Sequence, residues 1–265
     1  MRDLFFKLFE MSHFDTGISV TAFSIPHLVY LVLIIGGIVG GYFLLRNCTE
    51  EKKRRAMNIL VFALAVSYIS DFFVHDFVYA SYDEAGNIIG GGLNMDKLPF
   101  HICTVLCPLA AFAQFNKFGS KYIEPVAILA SLAPLMYIAY PASIGDAEPW
   151  CYQAVQTMFY HGVLLAWGIL SISLGLVKLD IKRCWKSACF LVGITLWAKL
   201  GVLLLDHNWF FLKEDAFYIG LVENGIIPQW LLMVINPIVF FLAVLAVYGI
   251  YYLVIHLKNK SKVTE

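Results

Sequence analysis

Residues 25–55 read IPHLVYLVLIIGGIVGGYFLLRNCTEEKKRR, so that an apolar stretch runs directly into a cluster of basic residues. A spanning helix needs about 20 mostly apolar residues, and basic loops stay on the cytoplasmic side of a membrane. The stretch therefore predicts a transmembrane helix whose C-terminal end meets the cytoplasm. The same pattern recurs along the chain and decides the fold class.

Seven such apolar stretches cover most of the 265 residues. The composition agrees, because 60% of the residues are hydrophobic and only 14% are charged, whereas a water-soluble domain carries roughly a quarter charged residues. We predict an all-α, polytopic membrane protein, a seven-helix transmembrane bundle with no room for a second soluble domain. The predicted spans are residues 25–45, 57–80, 99–116, 123–142, 153–177, 187–205 and 229–257.

Basic residues are divided unevenly between the two ends of these spans. The loops after the first, third and fifth spans and the C-terminal tail carry most of the 19 Lys and Arg residues. The opposite side carries few, namely Arg2, Lys7, Lys97 and Lys213. Because basic loops stay cytoplasmic, we predict an outside N-terminus and a cytoplasmic C-terminus. That orientation requires an odd number of spans.

The chain divides into three predicted regions. Residues 1–24 form an N-terminal segment whose Leu and Phe residues favour a short helix lying in the membrane interface. Residues 25–257 form the seven-span domain, and residues 258–265 form a basic cytoplasmic tail. The first span lacks a small-residue cleavage site, which indicates an anchor in the cell membrane rather than a cleaved signal. The net charge of zero predicts no nucleic-acid partner.

Polar residues within the spans collect in the outer half of the bilayer once the directions are assigned. Ionisable groups in hydrocarbon cost several kcal/mol unless they are paired or hydrated. We therefore predict one polar cavity open to the outer side, in which Asp71 or another acid pairs with Lys199. The residues expected to line the cavity or bind substrate there are Asp71, His101, His161, Lys199 and Asn236.

Several of the polar residues also have purely structural interpretations. His27 and the Asp206–His207 pair can be rim residues that touch water. Asn236, directly before Pro237, can serve only to satisfy backbone groups freed at a helix kink. An Asp–Lys pair inside the bundle can hold helices together without any role in binding.

Nucleophilic chemistry requires a thiol or hydroxyl close to a base. Cys103 lies in the first turns of the third predicted span, where the helix dipole favours a thiolate. His101 is two residues away and points in a different direction on a helix. His161, on another span, is therefore the better candidate base, and Thr104 is a second candidate nucleophile.

Metal binding and disulfide formation are the other chemistries to weigh. His75, His101, His161 and Asp71 could supply metal ligands, but the sequence contains neither HExxH nor CxxC. We predict no metal and no other cofactor. Among the six cysteines, Cys103 and Cys151 could form a disulfide on the outer side, although spacing alone does not establish the pair.

Three sequence motifs carry a resemblance to a known family. They are LPFHIC at 98–103, FYHG at 159–162 and, more loosely, DHNWFFL at 206–212. The chain resembles the YwaF-like bacterial integral membrane proteins, which are related to the eukaryotic transmembrane protein 164 family. That resemblance implies acyl transfer on a membrane phospholipid or fatty acyl substrate by a Cys–His pair, with His101 and His161 in the matching positions.

One position departs from the pattern that the resemblance implies. The eukaryotic relatives place a cysteine directly before the histidine of the third span, and here that position is Phe100. Either Cys103 supplies the thiol from a shifted position, or the chain lacks this nucleophile. In the first case we expect an acyltransferase or acyl hydrolase with Cys103, His161 and His101 as its catalytic residues. In the second case the chain binds lipid or has another role.

Two other classes of protein compete with the enzyme. A transporter or a lipid- or solute-binding protein would hold a head group in the polar cavity without covalent chemistry. A seven-helix receptor fits the helix count, but the third span ends Gln114-Phe115-Asn116-Lys117 rather than in an acidic-Arg-aromatic triplet. A retinal protein needs a lysine in its last span, which contains none before Lys258.

Overall fold

The computed structural model describes residues 17–78, 95–141, 144–145, 147–210, 212 and 224–261. Within these ranges the secondary structure is helical, without strands. Most of the predicted interfacial segment, residues 1–16, lies outside the described residues. The seven α-helices of the described part are α1 (Ile25–Leu45), α2 (Glu50–Val78), α3 (Ile102–Phe115), α4 (Ile123–Ala139), α5 (Tyr152–Ser173), α6 (Cys184–Leu205) and α7 (Leu232–Ser261).

Six of the described helices are long and apolar enough to cross a membrane. The prediction of an all-helical, multi-pass membrane protein is therefore confirmed. The exception is α3, whose 14 residues extend about 21 Å at 1.5 Å per residue. A hydrocarbon core is about 30 Å thick, so helix length alone does not establish a seventh crossing.

The start of α3 explains why it is shorter than the predicted span 99–116. Pro99 was expected in the first helical turn but lies before the helix. His101 is the extended N-cap residue, with φ −76° and ψ 149°. The Thr104 hydroxyl lies 2.9 Å from the carbonyl oxygens of both Leu98 and His101. This hydroxyl thus fixes the turn into α3, which leaves Thr104 engaged in structure rather than available as a nucleophile.

Contacts at the two ends of α3 define its direction. Near its start, the Tyr160 hydroxyl donates to the Cys103 carbonyl at 2.8 Å. Near its end, the Gln114 amide donates to Asn58 at 2.7 Å and accepts from the Trp167 indole at 3.2 Å. Helix α3 therefore runs parallel to α5 and antiparallel to α2, as the predicted topology requires.

Several helices begin or end beyond the predicted apolar spans. Helix α2 starts at Glu50, seven residues before the predicted boundary, because Glu50 and Glu51 in the first turn favour a helix N-terminus. They also lie 3.7 and 3.6 Å from Arg54 and Arg55, one turn further on. Helix α7 likewise continues past residue 257 to Ser261. Hydropathy therefore predicts the apolar part of each helix, whereas α2 and α7 extend beyond that part.

The centre of the bundle is the close pair α4 and α5. A Cβ atom at Gly168 of α5 would lie 2.7 Å from the Ser131 nitrogen and 2.8 Å from the Ala127 oxygen of α4. Only glycine permits this approach, and small residues at helix contacts are typical of membrane bundles. Helices α1 and α7 leave many large apolar side chains exposed, as expected for surfaces that face lipid.

The prediction of His27 as a rim residue in water is wrong. Its side chain is fully buried. Nδ1 accepts from the Phe23 N–H at 2.9 Å, and Nε2 lies 2.7 Å from the Ile138 carbonyl oxygen. Because a carbonyl only accepts, Nε2 is the donor. His27 therefore ties the start of α1 to the end of α4, and both ring nitrogens are used in structure.

The bundle has two chemically distinct ends. The basic end comprises residues 46–55, 116–123 and 174–183, where basic loop residues cluster. The histidine end comprises Lys97, His101, His161 and Phe210. Helices α2, α3 and α5 each run between these ends, and they contribute Asp71, the entry to α3 and His161 to the histidine end.

Candidate functional site

His161 lies on α5 at the histidine end. Its Nδ1 is 2.8 Å from the carbonyl oxygen of Thr157, one turn earlier. Since that oxygen only accepts, Nδ1 carries a proton and a neutral ring keeps a lone pair on Nε2. The ring stacks on Tyr137 of α4, with centroids 4.0 Å apart and planes 10° apart. His161 is thus held in one orientation, with an acceptor nitrogen at Nε2.

His101 has the opposite arrangement of protons. The backbone N–H of Phe210 donates to its Nδ1 at 3.3 Å. Since a backbone N–H only donates, Nδ1 has no proton, and a neutral ring therefore carries its hydrogen on Nε2. The two neutral rings consequently differ in protonation, with an acceptor at Nε2 of His161 and a hydrogen on Nε2 of His101.

Phe210 connects His101 to α7. It adopts the left-handed conformation, with φ 53°, which is uncommon for a bulky residue. Its carbonyl accepts from the Asn236 amide at 3.0 Å, and the neighbouring Trp209 indole donates to the Met95 carbonyl at 3.2 Å. Asn236, predicted to bind substrate, therefore holds the backbone segment that orients His101.

Asp71 does not form the predicted ion pair with Lys199. Its Oδ2 lies 3.3 Å from the Lys97 Nζ, and the two side chains are only 7% and 17% exposed. Lys97 reaches Asp71 because it lies a few residues before α3, which packs beside α2. Helix α6, which carries Lys199, packs mainly against α4 and α7. Lys199 forms no ion pair with any residue that the structure describes.

Two tyrosine hydroxyls fix the segment from Lys97 to Cys103. Tyr68 donates to the Lys97 carbonyl at 2.6 Å, and Tyr160 donates to the Cys103 carbonyl at 2.8 Å. The Tyr160 hydroxyl also contacts the Cys107 thiol. Sequence reasoning missed five residues that build the site, namely Tyr68, Lys97, Tyr137, Tyr160 and Phe210. Of these, Tyr160 could have been found, because it directly precedes His161 in the FYHG motif.

The histidine end brings together most of the predicted site. Lys97 and His101 both lie within electrostatic range of the His161 ring. Cys103 lies within the same range of Tyr160, the neighbour of His161. The Cys103 thiol and the His161 ring do not hydrogen-bond to each other in this structure. The side chains of His75 and Asp76 lie outside the described part of the chain.

Cys103 and Cys151 are both free, so the disulfide considered from the sequence is not formed. Cys151 is the buried N-cap residue of α5, and its sulfur accepts from the Ala154 N–H at 3.4 Å. Burial raises the pKa of the Cys151 thiol. Cys151 is therefore a structural residue rather than a reactive one.

The expected cavity lined by Asp71, His101, His161 and Lys199 does not coincide with either of two pockets in the described structure. One pocket lies at the basic end. The other is an apolar groove between α1 and α5, lined by residues such as Ile38 and Ile169. Several polar groups at the histidine end are hydrogen-bonded to backbone groups.

Phe100 occupies the position of the cysteine that the family resemblance implies. Its ring stacks on Trp197 with a centroid separation of 5.1 Å and lies 4.7 Å from the Trp209 ring. A Cβ atom at Gly201 would lie 2.6 Å from the Phe100 ring, so glycine makes room for it. Phe100 thus packs the segment before α3 against α6, and a thiol from this position is absent.

Comparison with known proteins gives one match. A sequence model of the TMEM164 family matches residues 22–259, which include every helix except the last two residues of α7. All of the candidate site residues fall within the matched range. Neither the curated proteins nor the solved structures contain a match to the chain.

Proposed function

Because the chain belongs to the TMEM164 family, we propose that this multi-pass membrane protein transfers or hydrolyses the fatty acyl chains of membrane phospholipids. The observation that carries the proposal is the complementary pair of histidines at one end of the bundle. An acceptor nitrogen on His161 and a donor nitrogen on His101 are the two groups that acyl transfer requires, a base and a stabiliser of the developing oxyanion.

In the proposed first step, the sulfur of Cys103 bonds to the acyl carbonyl carbon and the ester C–O bond breaks. His161 Nε2 takes the thiol proton and returns it to the departing lysophospholipid oxygen. His101 Nε2–H donates a hydrogen bond to the carbonyl oxygen, which gains charge in the transition state. The acyl chain is then held as a thioester.

In the second step, the hydroxyl of an acceptor lipid, or water, attacks that thioester. His161 accepts the hydroxyl proton and returns it to sulfur, which restores the thiol. Asn236 and Asp71 act as positioning residues, through Phe210 and Lys97 respectively. Lys199, unpaired in the described structure and only partly buried, is the proposed contact for the phosphate of a lipid head group.

Reconstitution with acyl-labelled phospholipid tests the role of the thiol. Cys103→Ala is expected to lower acyl turnover by about three orders of magnitude, because removing a covalent nucleophile costs far more than a packing defect. Cys107→Ala, one helical turn away and buried, is the matched control and should retain turnover within a few-fold. Turnover by Cys103→Ala at the wild-type rate would show that the thiol mechanism is wrong.

Lipid or solute binding without covalent chemistry is the second candidate function. It is favoured by the lack of a hydrogen bond between the Cys103 thiol and the His161 ring in the described structure. The reconstitution separates the two functions. If neither wild type nor Cys103→Ala turns lipid over but both bind it saturably, the binding protein or transporter is preferred.

The proposed topology has seven crossings, an outside N-terminus and a cytoplasmic C-terminus. It is supported by the basic loops and by the course of α3 between the two ends of the bundle. In a variant that retains only Cys48, at the basic end, a membrane-impermeant maleimide should label the protein only after the cells are opened. Labelling in intact cells would contradict the orientation.

A further inference from the structure

A pocket of about 390 Å³ opens at the basic end, away from the histidines. Its walls come from the start of α2, the turn before α4 and the loop between α5 and α6. That loop turns sharply because Gly175, with φ 76°, follows the end of α5 in the left-handed conformation. The charged residues lining the pocket are Glu50, Arg54, Lys121, Glu124, Lys178 and Arg183.

The acidic groups in this lining already have donors. Glu50 lies 3.7 Å from Arg54, on the same helix face. Glu124 is buried, and its Oε1 accepts from the Asp180 N–H at 2.7 Å and from the Tyr248 hydroxyl at 2.9 Å. Glu124 therefore ties the loop and α7 to α4. Its carboxylate is used in these hydrogen bonds and forms part of the pocket wall, rather than repelling an anion in the pocket.

Two cations of the lining remain without an acidic partner. Arg183 pairs with Asp180 at 3.4 Å, but Lys121 and Lys178 form no ion pair with the described residues. Lys121 lies over the Phe118 ring, 5.4 Å from its centroid. Four cations and two carboxylates line the pocket, which therefore carries a net positive charge.

The depth of the pocket relative to a bilayer follows from the aromatic residues around it. Phe115, Phe118 and Trp185 are 59%, 57% and 58% exposed at this end of the bundle. Among aromatic side chains, Trp and Tyr concentrate at the level of lipid head groups, and Trp185 at the start of α6 is such a residue. Basic pockets between helices at this level attract the phosphates of anionic lipids.

We propose that this pocket binds the phosphate head group of an anionic phospholipid, with Lys121 and Lys178 as the principal phosphate contacts. It is a second lipid site, at the opposite end of the bundle from the histidines. The proposal concerns binding alone and does not depend on acyl transfer. The arginines, each engaged with a neighbouring acid, would form the sides of the site.

The test is a titration of the purified protein in neutral detergent with fluorescent phosphatidylglycerol. Lys121→Gln with Lys178→Gln should weaken binding by roughly 10- to 30-fold, as expected for two cations close to a lipid phosphate. Lys52→Gln with Lys182→Gln removes the same charge from exposed residues at the same end, outside the pocket, and is the matched control. Fluorescent phosphatidylcholine should bind all three proteins equally.

Each alternative result has a defined meaning. Equal weakening by the two double variants would indicate a diffuse charge effect and overturn the pocket proposal. Displacement of the lipid by inorganic phosphate at a similar concentration would make free phosphate the ligand and overturn the lipid assignment. A binding constant for phosphatidylglycerol unchanged in the Lys121/Lys178 variant would also overturn it, whatever the acyl-transfer assay shows.

Discussion

Acyl transfer should fall by about three orders of magnitude when His161 is replaced by alanine, whereas binding of the lipid should change little. In the proposed reaction His161 is the base in both steps, and loss of general base catalysis costs about 10²- to 10⁴-fold. The measurement is single-turnover release of a labelled acyl chain from phospholipid in reconstituted protein, with lipid binding measured separately.

Two further variants make the His161 result specific. Gln156→Leu changes a buried polar residue on the same helix, whose amide donates to the Ser67 carbonyl at 3.0 Å. It should lower stability but leave the rate within several-fold. His101→Gln retains a side-chain donor and should lose less activity than His101→Ala. If His161→Ala retains turnover comparable with Gln156→Leu, His161 is not the base.

Replacing Asp71 by alanine should destabilise the protein by about 3–5 kcal/mol, the usual cost of leaving one member of a buried ion pair without its partner. Lys97, only 17% exposed, would lose its carboxylate partner. The expected result is a markedly lower midpoint of thermal unfolding in detergent for Asp71→Ala than for wild type.

The double variant Asp71→Leu with Lys97→Met provides the decisive comparison. It removes both charges and fills the space with apolar atoms, so it should unfold at a higher temperature than Asp71→Ala alone. Glu50→Ala, which breaks the exposed pair with Arg54, should have almost no effect. A double variant less stable than Asp71→Ala would show that the ion pair itself, rather than the uncompensated lysine, governs stability.

Hydropathy and charge predicted the helical fold because each is a property of one segment and its surrounding solvent. The same reasoning overestimated the length of α3, because residues 99–101 are apolar enough for a span yet form the extended entry to the helix. It also predicted that His27 lies at the rim of the bundle, in contact with water. Nothing near His27 in sequence indicates that the Ile138 carbonyl, 111 residues later, accepts its hydrogen bond.

Asp71 in the candidate site has a different ion-pair partner from the one predicted. The position of Asp71 in the sequence of α2 identifies the helix face on which it lies, but not the helix that packs against that face. Lys199 was expected there from its depth alone, whereas the neighbour is Lys97, just before α3. The protonation pattern of His101 depends on Phe210, 109 residues away, and no local sequence signal carries that information.

The short length of α3 has a consequence for where the proposed reaction occurs in the bilayer. With its end at the level of the exposed Phe115, a helix of about 21 Å leaves its start roughly 9 Å inside a 30 Å hydrocarbon layer. Ester carbonyls of a phospholipid lie at the edge of that layer. Membrane thickness therefore becomes part of the substrate geometry, because a locally thinned bilayer carries the ester down to Cys103 without removing the lipid from the membrane.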